Sequence, residues 1–199
     1  MIIKEEILLA NGATFEEYSN NDTIFSESDK PQYYFQIIYG TVELNNYHEN
    51  GSEFTHNILR DGQSFGESLL FTDQLYPMNA VVKGPSMILK LPKESFLKLV
   101  QQNPEISISI VECLAERLFY KYTMLFNLSS SNPMLKIENI LNYLKSFNSD
   151  KKDPYTFEVP LTRQQLANLT GLRIETVIRT VKKMEKSNIL RLKGRTIYY

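Results

Sequence analysis

Glu175 and Arg179 stand four residues apart in a basic stretch of the chain. On a helix that spacing puts both side chains on one face, one turn apart. Their chemistry suits the edges of bases: a guanidinium fork donates to guanine O6 and N7, and a carboxylate accepts from cytosine N4. The same residue types at i and i+4 also make an ordinary solvated ion pair worth roughly 0.2–0.5 kcal/mol, and spacing alone leaves both readings open. Lys182 and Lys186 extend this face, while Val177, Val181 and Met184 form an apolar stripe on the other. Further on, Lys193 and Arg195 flank Gly194, a cationic tip suited to a phosphate backbone, where it adds affinity without sequence information.

The elements that must hold these groups are legible around them. Thr162 followed by Gln165 is a capping box that starts a helix with Leu166 and Leu169 on its buried side. Gly171 supplies the positive φ of a sharp reversal before the helix that carries Glu175. Asn188–Leu192 and Thr196–Tyr198 read as a short hairpin, a wing beside the two helices. Charge agrees with this placement. Residues Met134–Tyr199 hold 13 Lys and Arg against 6 Asp and Glu, a net of +7, and the rest of the chain is −8, although the 199 residues sum to only −1. The basic part is the one fitted to a polyanion such as double-stranded DNA, unless it is simply a solvated basic surface.

The preceding part reads differently. Between Thr14 and Leu91 short alternating runs such as Phe35-Gln36-Ile37 and Val42-Glu43-Leu44 are punctuated by Asn50-Gly51, Asp61-Gly62 and Gly84-Pro85, and Met87, Leu89 and Leu91 follow at period two. That pattern predicts a β sandwich or small barrel with a hairpin at Asn50-Gly51. After Pro92 the period lengthens to that of helices. A short helix ends near Asn103-Pro104, and a long one carries Ile106, Ile110, Leu114, Leu118, Tyr122 and Leu125, flanked by Glu112, Glu116, Arg117 and Lys121. This stripe fits either packing on the chain's own barrel or a coiled-coil-like seam with a second copy. Ser129–Pro133 is a turn-rich break; Met134–Phe147 is helical in pattern, and Asn148–Pro154 is a polar loop.

Several functions find no residues to perform them. The single cysteine, Cys113, makes no intramolecular disulfide and no iron-sulfur site. His48 and His56, eight residues apart in hairpin strands, form no His-x-His metal pair and read as structural or surface residues rather than haem ligands. No nucleophile and base are paired, so no enzyme and no metal site is expected. Nothing near Met1 resembles a secretion signal and no run is apolar enough for a membrane span, which predicts a cytoplasmic protein. A ligand sensor acting through a protein partner is the competing reading, and it predicts weak, salt-insensitive DNA binding.

The whole chain resembles the Crp/Fnr family of bacterial transcription regulators. The likeness rests on Leu161-Thr162-Arg163-Gln164-Gln165-Leu166-Ala167 through Glu175-Thr176-Val177-Ile178-Arg179, on the Lys193-Gly194-Arg195 wing, and on Gly62-Gln63-Ser64-Phe65-Gly66-Glu67-Ser68-Leu69-Leu70-Phe71. It implies an α+β fold with a cyclic-nucleotide-binding-like barrel of double-stranded β-helix (jelly-roll) type over 1–103. A dimerisation helix and hinge over 104–133 and a winged helix-turn-helix over 134–199 would follow. It also implies a homodimer on a palindromic operator, with RNA polymerase as protein partner. Glu175 and Arg179 would read bases, with Thr162, Arg163, Arg173, Thr176, Lys182, Lys193 and Arg195 on the DNA backbone. Ile110, Leu114, Leu118, Tyr122 and Leu125 would line the dimer helix.

Departures from the family pattern bear on its signal. Gly66, Glu67 and Ser68 match the cassette that holds a cyclic nucleotide, but the Arg-Ser pair that should follow is replaced by Met78-Asn79, or by Pro77-Met78 with a shifted alignment, and Lys121 and Tyr122 stand where cAMP-responsive members place two hydroxyl residues. The effector is thus left unidentified and cAMP is not expected to bind at physiological affinity; micromolar binding by calorimetry would overturn that. Ile174 stands where the catabolite activator branch has an Arg, implying a different, more Fnr-like operator. Arg173 replaces a residue that often caps the helix with a hydroxyl, at a cost of about 1 kcal/mol unless a phosphate approaches.

Overall fold

The computed structural model describes residues 2–146 and 154–199. Phe147 and all of the expected polar loop Asn148–Pro154 except Pro154 lie outside them. Contacts divide the chain into two compact units, one ending at Phe119 and the other running from Tyr120 to Tyr199.

The first unit begins with a short helix, α1 (Glu5–Ala10). Eight strands follow: β1 (Thr14–Tyr18), β2 (Thr23–Phe25), β3 (Tyr33–Tyr39), β4 (Val42–Tyr47), β5 (Glu53–Leu59), β6 (Ser64–Phe65), β7 (Asn79–Val82) and β8 (Ser86–Pro92). They form two antiparallel four-stranded sheets of order β1-β8-β3-β6 and β2-β7-β4-β5. The chain passes repeatedly from one sheet to the other, the winding of a double-stranded β-helix, and among the described residues no strand pairing joins the two sheets. The Asn50-Gly51 hairpin forms between β4 and β5, with Gly51 at φ 78°. In β8 the expected alternation gives way to burial on both faces. Leu89 and Leu91 pack with Tyr34, Phe96 and Leu99, whereas Ile88 joins Phe35, Phe65 and Leu59. One face of this sheet meets helices and the other meets the second sheet, so a continuous apolar run is what the strand needs.

Helix α2 (Lys93–Gln102) leads into α3 (Pro104–Ser129). The apolar row expected to line the dimer helix is divided between two faces of α3. Ile110 is fully buried in the first unit's own core and Leu114 packs against the same cluster, while Leu118, Tyr122 and Leu125 are exposed. The cause is helical drift: steps of four residues advance about 40° past a full turn each, so a row at 110, 114, 118 and 122 winds from the inner face to the outer. The exposed apolar side chains of α3 are Ile108, Val111, Leu118, Phe119, Tyr122, Leu125 and Phe126. With the exposed Ala115, positions 108, 111, 115, 118, 122 and 125 keep a 3-4 alternation and remain on one side.

In the second unit the last turns of α3 bury Tyr120, Met124 and Asn127, with Tyr120 against Tyr143 (ring centroids 4.8 Å apart). Asn127 donates to the Lys136 carbonyl (2.9 Å) and accepts from Asn139 (3.0 Å). Helices α4 (Pro133–Ser146), α5 (Arg163–Thr170) and α6 (Ile174–Lys186) pack on one another, and β9 (Arg191–Lys193) pairs with β10 (Thr196–Tyr198). Ile137, Ile140, Leu141, Leu166, Val177, Val181, Met184, Leu190 and Ile197 supply the core. A third strand-like segment completes the small sheet: Phe157 and Val159 bond the backbone of Tyr199 and Ile197. Among the described residues no helix is long and apolar enough to cross a membrane.

Candidate nucleic-acid interface

Local chemistry fixes the two helices that carry the candidate residues. Thr162 caps α5 by accepting from the Gln165 N–H (3.1 Å), and Gln165 accepts from the Thr162 N–H (3.0 Å), the reciprocal box read from the sequence. Gly171 ends α5 at φ 64°, and its N–H and that of Leu172 return to the Ala167 carbonyl. The chain then turns into α6 through Arg173, which occupies the cap position without a side-chain bond. With no hydroxyl in place, the first turn of α6 keeps outward-directed N–H groups at the positive end of the helix dipole.

Helix α6 sorts its side chains by face. Val177, Val181 and Met184 are fully buried, and Glu175, Ile178, Arg179, Lys182, Lys183 and Lys186 are exposed. Spacings of three and four join all six into one stripe along the helix. The ordinary ion pair is not formed: among the described residues Glu175 and Arg179 make no hydrogen bond or ion pair with each other or with any other residue. Two polar heads that could satisfy one another are left turned to solvent. Charge alone does not single out Ile178 or Lys183, but counting i+3 and i+8 from Glu175 does.

The remaining candidates surround this stripe. Thr162 and Arg173 are exposed, Thr176 is half-buried beside Glu175, and Arg163 opens α5. Burial lowers the Arg163 guanidinium from its usual range, with the Glu185 carboxylate opposing, and the side chain stays charged at neutral pH. Glu185 also accepts from the Leu192 N–H (3.2 Å), tying the end of α6 to the wing strand. At the wing, Lys193 lies over the Tyr198 ring (4.9 Å to the centroid) and Arg191 over Tyr155 (4.5 Å), contacts worth about 0.5–1 kcal/mol each at exposed sites. Arg195 and Gly194 (φ 61°) form the exposed tip. Arg191 is a cation that the sequence motif does not mark.

The cassette residues behave otherwise. Gly66 takes φ 79° and starts the 3-10 turn Glu67–Phe71, the 3-10 helix after β6. Glu67 is fully buried and ion-paired to Arg117 of α3, whose guanidinium also donates to the Ser64 carbonyl and, at 3.2 Å, to its hydroxyl. One Glu67 oxygen and the Tyr76 hydroxyl are buried with no hydrogen-bond partner among the described residues. A Cβ at Gly66 would come 3.1 Å from that hydroxyl. Burial pushes the Tyr34 and Tyr76 phenols and the Cys113 thiol upward, and Glu67 adds to each. Ser68 is exposed, and Asn79 is held within the sheet, accepting from the Glu27 N–H (2.9 Å) and donating to the Asn45 carbonyl (3.2 Å). Met78 brings no charge. Lys121 and Tyr122 belong to the other compact unit, exposed on α3. His56 shares a 2.6 Å hydrogen bond with Asn46 and stands edge-on to Phe54. Among the described residues no cluster is suited to a metal ion.

Residues 15–103 match the cyclic nucleotide-binding domain, and residues 138–198 match the Crp-like helix-turn-helix domain. The chain belongs to the Crp/Fnr family of transcription regulators. It is 28% identical over 182 residues to the cAMP-activated global transcriptional regulator CRP of Pasteurella multocida, spanning 91% of this chain and 87% of that one. The global nitrogen regulator of a Nostoc species is 26% identical over 212 residues, 99% of this chain and 94% of the relative. Among solved structures, the c-di-GMP-responsive global regulator CLP of Xanthomonas campestris shares the fold, with a TM-score of 0.79 at 21% identity over 97% of this chain and 96% of that one. As a Crp/Fnr regulator the protein binds DNA to control transcription, and its relatives are regulators rather than enzymes.

Proposed function

We propose that this regulator binds a two-fold symmetric DNA site as a homodimer, reading bases with Glu175 and Arg179, and that cAMP is not its signal. The observation that carries the reading is the exposed stripe of α6, where Glu175 and Arg179 have no partner among the described residues in the unit of net positive charge. Thr162, Arg163, Arg173, Thr176, Lys182, Lys193 and Arg195 hold the helix to the phosphates, without reading sequence. RNA polymerase is the protein partner, in the cytoplasm, and the working division of the chain is 1–103, 104–133 and 134–199.

The homodimer is supported by the 3-4 alternation on α3. Positions 108, 111, 115, 118, 122 and 125 span about 26 Å of helix and are exposed among the described residues, at the period of a two-stranded seam. The effector reading rests on charge. A cyclic phosphate needs a cation in its cradle, yet Arg117 is spent on Glu67 and Ser64, and Met78 and Asn79 offer none. The named relatives are a cAMP-activated regulator, a global nitrogen regulator and a c-di-GMP-responsive regulator, so family membership leaves the signal open.

Selection of bound sequences from a random DNA pool at stated salt tests the reading. A two-fold symmetric motif should emerge, and Glu175→Ala and Arg179→Ala should each relax one position by about 1–3 kcal/mol. Enrichment of no motif would refute it.

A further inference from the structure

Ile178 is the one apolar side chain on a stripe that is otherwise charged: Glu175, Arg179, Lys182, Lys183 and Lys186 share its face of α6. It is 42% exposed, whereas the other β-branched aliphatics of the helix interior, Val177 and Val181, are 0% and 1% exposed. Stability gives no reason for it, because a β-branched residue forms helix less well than the Lys, Arg or Ala that would suit a solvated site. Solitary exposed aliphatics are common on protein surfaces, so the case rests on where this one stands.

Viewed down the helix, Ile178 lies about 60° to one side of Glu175 and Arg179 about 40° to the other, and the three occupy about 6 Å of axis. A groove that receives Glu175 and Arg179 on base edges also receives Ile178 at its flank, within one or two base steps. There the branched butyl group offers no hydrogen bond. Set against a base edge with a donor or acceptor it would leave that group dehydrated and unpaired, which is costly. The apolar group that the major groove presents is the C5-methyl of thymine.

We infer that Ile178 is a specificity-determining residue that packs on a thymine methyl in each half-site. This rests on the DNA-reading role of α6 proposed above and adds to it a base that neither charged residue can select.

The test uses the full-length protein and the site obtained by selection, with each thymine replaced in turn by deoxyuridine, which keeps the pairing edge and lacks only the methyl. Wild-type protein should lose about three- to ten-fold in affinity at one thymine per half-site, the size of a small apolar contact. Ile178→Ala should bind the thymine and deoxyuridine forms of that position within about two-fold of each other. It should respond like wild type at every other thymine. Thermal melting of Ile178→Ala within a degree or two of wild type shows that the variant is folded. The inference is overturned if no thymine shows a loss that the alanine variant abolishes, or if the selected half-site has no thymine beside the positions relaxed by Glu175→Ala and Arg179→Ala. Failure of the underlying reading looks different: wild-type protein then enriches no motif, and there is no site to substitute.

Discussion

Glu67 with Arg117 and Glu175 with Arg179 are the same two side chains in opposite surroundings. The first couple is separated by fifty positions in sequence, and yet the fold joins it in an ion pair around a carboxylate with no exposed surface. The second is four positions apart on one helix face, and stays apart in solvent. Burial accounts for the difference. A carboxylate removed from water requires a counter-charge, and Glu67 finds it in Arg117. In water an i, i+4 pair gains only a few tenths of a kcal/mol (roughly 0.2–0.5), too little to fix two long side chains. The charge of the Glu67–Arg117 couple is therefore spent on the fold, and charge on α6 stays available to a partner.

The largest expected effect follows from the buried couple. Arg117→Ala strands the Glu67 carboxylate and should cost about 3–5 kcal/mol in urea unfolding followed by circular dichroism. Replacing both members, as Glu67→Gln with Arg117→Met, should recover most of that loss, because the penalty belongs to the unpaired charge and not to the absent pair. A cost below about 1 kcal/mol for Arg117→Ala would break the contrast with α6. The exposed couple should show the converse. Glu175→Ala and Arg179→Ala should shift unfolding by no more than about 0.5 kcal/mol while each relaxes a base position by about 1–3 kcal/mol. Unfolding shifts as large as that of Arg117→Ala would assign them to the fold.

What the sequence made legible follows the same division between local and distant causes. The Thr162–Gln165 box, the Gly171 reversal, the Asn50-Gly51 hairpin and the divided faces of α6 depend on residues a few positions apart, and each stands in the structure. The Glu67–Arg117 pair was not legible, because Arg117 looked like one more polar flank of a long helix until the fold brought Ser64 and Glu67 to it. Nor was the strand segment at Phe157–Val159, whose alternation is too short to stand out in the sequence and which is held by Ile197 and Tyr199. The apolar row on α3 divides for a geometric reason. Ile110 and Leu118 look alike in a row of apolar residues, and only the 40° drift of four-residue steps sends the first inward and the second outward.

A third couple lies between the two extremes and yields the smallest effect. Glu16 of β1 and Lys90 of β8 pair at 3.0 Å across the sheet, both partly exposed. Burial raises the Glu16 carboxyl, but hydrogen bonds from Tyr18 and Lys90, with the Lys90 charge, outweigh it and leave the group below its ordinary range. A carboxyl whose folded pKa is lowered adds stability above the unfolded value of 4.5 and loses it as pH falls through the folded value. Solvent screening limits the contribution to about 0.2–1 kcal/mol. Lys90 also lies 4.1 Å from the centre of the Tyr33 ring, so Lys90→Met removes a second contact as well, but one that does not depend on the protonation of Glu16. The difference in stability between wild type and Lys90→Met should therefore shrink by about 0.2–1 kcal/mol between pH 6 and pH 3, and shrink further in high salt. If it grew on acidification, the lowered carboxyl would not be stabilising the sheet. If it changed by as much as Arg117→Ala costs, degree of burial would no longer order the three couples.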